Sequence, residues 1–264
     1  MSTSTTGPDG KDDNVVFHEL TAVPRDIDLL RQFYQDLYLG EFPDSDERES
    51  SEKRVHNLKL KAQGGYGINN YHIVLLIESG RPVAGSVSNY LSAADAGVIE
   101  FLAVIPAWRR QGLGARLLRW TENTLAVDAG SRSARTLRCI VAEMHNPRAH
   151  NRPHIDLEPL ARARIWSGWG YRKLNFDYVQ PALSEHQLAA RDLMLLAKMS
   201  NGGAPHTAIG VHLLRSILRE YFDWSMRIDQ PERTLEYQEM SAQMADDGCV
   251  DLLPLEEYLQ SGGS

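Results

Sequence analysis

VIEFLAVIPAWRRQGLGARLLRWTENTLA, residues 98–126, is the stretch that decides the fold. It opens with an apolar run of strand length, 98–105, which Pro106 ends. A basic, glycine-bearing turn follows, Trp108-Arg109-Arg110-Gln111-Gly112-Leu113-Gly114. From Ala115 onward Leu117, Leu118, Thr121 and Leu125 recur near helical spacing. Strand, glycine turn and helix together make a device for holding a phosphate. The first N–H groups of a helix lack internal partners, and the helix dipole makes that end electropositive. Gly112 and Gly114 let a ligand approach the backbone, while Arg109 and Arg110 add positive charge.

The sequence on either side reads as strands and amphipathic helices. Residues 15–20 (VVFHEL) are the first expected strand. Asp26 is placed to cap a helix that continues through Ile27, Leu30, Phe33, Tyr34 and Leu37. An acid-rich segment, 41–53, leads into a helix carrying Val55, Leu58 and Leu60. Residues 71–78 (YHIVLLIE) and 83–91 (VAGSVSNYL) form a hairpin around Ser79-Gly80-Arg81-Pro82. After the central helix, 136–144 (TLRCIVAEM) is a second central strand. The irregular segment 145–159 carries His145, His150 and His154 and reads equally as an acceptor-pocket loop or as surface. Residues 160–169 read as a helix stopped by Gly170, 171–174 and 176–181 as one continuing strand, and 193–199 as the last sheet strand. Asn201-Gly202-Gly203-Ala204-Pro205 signals a linker. Helices are expected over 207–221 and 231–244, and the apolar 250–259 should pack.

The bulk properties narrow the classes. Hydrophobic content of 42% and charged content of 24% over 264 residues suit a soluble globular chain with a sizeable core. A net charge of -7 argues against a duplex nucleic-acid binder and is compatible with a cationic partner. The two cysteines, Cys139 and Cys249, lie too far apart in sequence to suggest a disulfide scaffold. They and the three histidines match no metal-ligand spacing, so no metal is expected. The polar start, 1–14, lacks the apolar core of a signal peptide and reads as a disordered tail. No segment approaches the roughly 20 apolar residues of a membrane span. A cytoplasmic protein without a membrane partner is the expectation.

The central stretch resembles the acetyl-CoA-binding motif of the GCN5-related N-acetyltransferases, the GNAT superfamily. The likeness rests on Leu102 to Pro106 ahead of the turn and on Arg109-Arg110-Gln111-Gly112-Leu113-Gly114. Gly170-Tyr171 after 162–169 resembles the end of the same signature. The likeness spans about residues 15–200, with 201–264 left as a C-terminal helical extension. It implies an α/β (mixed α+β) GNAT-like fold: a central, mostly antiparallel sheet with one splayed parallel strand pair and helices on both faces. It implies acetyl-CoA as co-substrate and direct transfer of the acetyl group to a primary amine, on a small molecule or a peptide. The alternative is a catalytically weak acyl-CoA-binding module with a regulatory or interaction role. The tail's amphipathic helices leave a homodimer open.

The resemblance also assigns residues. Leu102, Ala103 and Val104 should border the thioester, with the N–H near Val104 as oxyanion donor. The pyrophosphate should lie on the N–H groups from Gln111 to Ala115, beside Arg109 and Arg110. Glu100 is the one acid inside its apolar strand and is the candidate base, with a solvated or ion-paired strand glutamate as the equal alternative. Alternation puts it on the face of Val98, Leu102 and Val104. The family's frequent thiolate-protonating tyrosine falls on Trp166, whose indole N–H is not acidic. Tyr171, carried as the candidate acid, and Tyr178 offer hydroxyls; solvent is the other proton source.

Overall fold

The computed structural model describes residues 15–42, 45–149, 159–200 and 206–256. The expected disordered start, the linker at 201–205 and most of the histidine-bearing segment, with His150 and His154, lie outside the described residues.

Dense β-branched and aliphatic runs build one sheet. Strand β1 is Val15–Leu20, β2 Asn70–Glu78, β3 Arg81–Leu91 and β4 Ala96–Val104. They are followed by β5 Cys139–His145, β6 Arg172–Leu174, β7 Leu193–Met199, β8 Ala208–Gly210 and β9 Cys249–Leu253. Their order across the sheet is β1-β2-β3-β4-β5-β7-β6-β9-β8. Every neighbouring pair is antiparallel except β4 and β5. That pair runs in register from Ala96↔Cys139 to Ile99↔Ala142 and then parts, leaving the β5-side edge of residues 100–104 without a strand neighbour. The expected splayed parallel pair is therefore present.

Period-2 alternation gives the sheet two apolar faces. On one, Val74, Leu76, Ile99, Ala142 and Leu196 meet helix α4, Leu113–Arg132, and helix α5, Pro159–Gly168. On the other, Ile73, Leu75 and Val87 meet helix α1, Ile27–Phe33, while Leu58 of helix α3, Ser51–Ala62, joins the same cluster. A π turn, Tyr34–Tyr38, carries α1 on into the short α2, Leu39–Glu41. The second face continues with Val98, Val141 and Leu195, which pack with helix α6, Val211–Glu220, and helix α7, Leu235–Ala242.

Three local expectations change. Asp26 does not cap α1; its carboxylate accepts the N–H groups of Thr21 (2.7 Å) and Ala22 (3.0 Å), which fixes the turn before the helix. Residues 176–181 do not continue β6: only an isolated Gln180↔Ala190 bridge pairs there. The tail is not purely helical, because β9 pairs with β6 through Lys173↔Leu253 and Leu174↔Leu252.

Candidate active site

The glycine turn follows from its backbone. Gly112 is the residue just before α4 and has φ +78°, a conformation that L side chains rarely adopt. No side chain caps the helix, so its first N–H groups face outward without a side-chain partner. Gly114 lies against Trp169, whose ring would meet an added Cβ at 3.4 Å. Together these make the floor of a cleft of about 720 Å³. Its walls are Leu102, Ala103 and Val104 of β4, the turn residues Arg109, Arg110, Gly112, Leu113, Gly114 and Ala115, and Arg162, Trp166 and Trp169 of α5 and its end.

Of the cofactor residues expected from sequence, all but Gln111 line this cleft. The amide of Gln111 reaches back to the Ala107 carbonyl at 3.4 Å. Arg109 lines the cleft, but its guanidinium is engaged in the wall. Nε donates to the Val104 carbonyl and Nη2 to Glu41, each at 2.9 Å. The Ile105 N–H donates to Val83 of β3 at 3.0 Å. By strand alternation the Val104 N–H points the other way, into the gap that β5 has vacated.

Glu100 sits at the mouth of that gap. Ser88 pairs with Ile99 and Val87 with Phe101, so Glu100 is the extra residue of a β-bulge. The bulge breaks the alternation expected from sequence. Glu100 faces the side of Val98, with Asn89 and the tail, while Leu102 and Val104 pack toward α4. Its Oε1 accepts from Asn89 Nδ2 at 2.5 Å and from Ser225 Oγ at 2.6 Å. Ser225 closes a second π turn, Tyr221–Ser225, where α6 overruns its regular winding. Burial raises the Glu100 pKa above the ordinary carboxylate range, and Glu49 adds to that; Arg54 and the Ser225 hydroxyl oppose it.

Two smaller spaces continue inward from the cleft. The first, about 40 Å³, is bordered by Glu41, Leu102, Arg162 and Trp166, which it shares with the cleft, and by Glu100 and Glu143. The second, about 50 Å³, is bordered by Tyr38, Glu49, Arg54, Glu100, Glu143 and Tyr221 among others. Arg162 borders all three spaces and donates to Glu41 at 2.9 Å. The three spaces therefore adjoin one another at Arg162, and the two smaller ones share Glu100 and Glu143.

Tyr171 does not join this group. It lies under α4, stacks edge-on with Trp166 (centroids 4.7 Å apart) and donates its hydroxyl to Glu122 at 3.1 Å. Burial and the Glu122 carboxylate hold its pKa well above the ordinary phenol value. Tyr178 is buried with its hydroxyl donating to Glu143. Sequence reasoning missed Glu143, Asn89, Arg162, Tyr221 and Ser225. Glu143 carried the same signal as Glu100, a lone acid in an apolar central strand.

Residues 27–151 match the family model described as Acetyltransferase (GNAT) family. Over those residues the chain resembles GNAT acetyltransferases. Its fold is shared with a solved structure described as a GNAT-family acetyltransferase from Bacteroides thetaiotaomicron (TM-score 0.54, 18% identity, 81% of this chain and 99% of that one). Two further solved structures match more loosely. One is the ribosomal-protein-S18-alanine N-acetyltransferase from Escherichia coli (TM-score 0.43, 18% identity, 72% of this chain and 99% of that one). The other is a GNAT-family acetyltransferase from Elizabethkingia anophelis with acetyl-CoA bound (TM-score 0.42, 16% identity, 71% and 99%). No protein of curated function matches the chain. Among the described residues no helix is long and apolar enough to cross a membrane.

Proposed function

We propose that the protein transfers an acetyl group from acetyl-CoA directly to a primary amine, with Glu100 as the base. The observation that carries this reading is that the glycine-turn cleft adjoins a space bordered by Glu100, the two sharing Glu41, Leu102, Arg162 and Trp166 as wall residues. The cleft suits the donor chemically: an uncapped helix start for phosphates, and an unpaired strand edge beside which an extended amide-bearing chain can hydrogen-bond like a strand. The Val104 N–H facing the gap is the donor for the carbonyl oxygen as it gains charge. The inner cavity suits the acceptor. Its carboxylates Glu47, Glu49 and Glu100 outnumber Arg54 and Arg162, so it attracts an ammonium group. Glu100, buried and raised in pKa, then takes the proton that the nitrogen must lose.

Calorimetry with acetyl-CoA and free-thiol release with an amine panel that includes peptides test the proposal. Binding together with amine-dependent thiol release is the expected result. No binding at millimolar acetyl-CoA, or binding without turnover on any amine, would sink it.

Two variants probe its parts. Gly112→Glu forces a side chain into a left-handed backbone and puts a carboxylate where phosphates should sit. Its acetyl-CoA Kd is expected to rise roughly 10- to 100-fold, about 1.4–2.7 kcal/mol. An unchanged Kd would show that the phosphates lie elsewhere. Ser225→Ala removes a hydrogen bond that holds the Glu100 pKa down. Because the ionised form is the base, the acid limb of kcat/KM should move to higher pH. A limb that stays in place would disconnect Ser225 from the base.

A further inference from the structure

We infer that Glu143 is the acid of the reaction: its carboxyl gives its proton to the departing thiolate, the role that Trp166 cannot fill. The inference rests on the proposed acetyl transfer. It starts from position. Glu100 and Glu143 each follow the last paired residues of the parallel strands, Ile99 and Ala142, and both border the two inner spaces. The first of these spaces lies between the donor cleft and the acceptor cavity, so it is where the carbon–sulfur bond must break. Among the described residues that border it, few carry a proton to give. Glu41 is held in ion pairs with Arg109 and Arg162, Arg162 is itself a partner of Glu41, and Glu100 is assigned as the base. Trp166 offers only an indole N–H. Glu143 remains.

Its surroundings favour the neutral form. Burial pushes its pKa up to about 8, with further upward effects from Glu100 and Glu49, while the Tyr178 and Tyr221 hydroxyls oppose them. Tyr178 lies on the segment after β6, and Tyr221 begins the π turn of the tail. The charged groups bordering the same two spaces are Glu41 on α2, Glu47 and Glu49 ahead of α3, Arg54 on α3, Glu100 on β4, His145 on β5 and Arg162 on α5. Two neighbouring carboxyls whose environments hold one as base and the other as acid divide the two proton transfers between them.

The step balances. The ammonium first loses one proton to solvent; the neutral amine nitrogen then forms a bond to the thioester carbon and gives its second proton to Glu100. The carbon–sulfur bond breaks, its electron pair goes to sulfur, and sulfur takes the Glu143 proton. A proton then passes from Glu100 to Glu143, directly or through water, and restores both groups.

The test is kcat against pH for the full-length wild type, Glu143→Gln and Tyr178→Phe, with acetyl-CoA affinity and melting temperature measured alongside. For the wild type, kcat should fall as pH rises through about 8, where Glu143 loses its proton. Glu143→Gln should lower kcat about 100-fold with acetyl-CoA affinity kept, and that alkaline limb should vanish. Tyr178→Phe removes a hydrogen bond that favours ionised Glu143, so the limb should move to higher pH. It serves as the check if Glu143→Gln folds poorly. Glu143→Gln with kcat and alkaline limb within twofold of wild type, or Tyr178→Phe with an unmoved limb, overturns the inference and leaves the proposed function standing. A wild type that releases no thiol with any amine overturns both.

Discussion

Glu100→Gln is expected to lower kcat by about 100-fold or more at neutral pH, within the range general-base catalysis supplies. The substitution keeps the size of the side chain, and its carbonyl oxygen can still accept from Asn89 and Ser225. What it removes is a lone pair basic enough to take the amine proton. Glu100 does not border the donor cleft, so acetyl-CoA affinity should hold. The pH profile gives a second readout. Glu100 acts when ionised, and burial with Glu49 nearby raises its pKa, so wild-type activity should decline on the acid side above the ordinary glutamate range. In the variant that limb should disappear. Steady-state kinetics decides it: kcat within threefold of wild type across the pH range would remove Glu100 from the chemistry.

Phe222→Ala is expected to destabilise the protein by about 3–5 kcal/mol and to lower the melting temperature by about 6–20 °C for a chain of this size. Phe222 is fully buried. It sits in the apolar cluster that includes Val98 of β4, Val141 of β5 and Leu195 of β7. Its ring meets Tyr237 of α7 edge-on, centroids 6.3 Å apart. A cavity there loosens the tail and the sheet together. We read the tail as packed into the same cooperative unit as the rest of the sheet, so calorimetry of wild type and variant should each give one transition. Two separated transitions, with only one moved by the substitution, would make the tail an independent unit.

Legibility in the sequence followed the range of the interaction. Strands β2 and β7 were clear because aliphatic density is local, and the glycine turn was clear because a left-handed Gly112 and an uncapped helix start are local too. The face of Glu100 was misread because a bulge depends on how two strands count against each other, and β3 and β4 differ by one residue at Ser88 and Ile99. Strand β9 read only as apolar packing because its partner, β6, lies far away in sequence. Arg109 reads from its charge as a phosphate ligand, and only the fold brings Glu41 and the Val104 carbonyl to its guanidinium. Glu143 and Ser225 needed the strand register and the tail in place, respectively.

The hydrogen bond from Ser225 to Glu100 has a further consequence for variation over time. Apart from Glu41, the cleft proposed for the donor is encoded by two stretches, 102–115 and 162–169, whereas Tyr221 and Met226, which border the cavity proposed for the acceptor, belong to a separate, later segment. Under the proposed function, substitutions in that late segment would remodel the acceptor cavity without touching the donor cleft. Inheritance of the two proposed specificities would thereby be uncoupled. Relatives that diverge in their tails are where different acceptors should be sought.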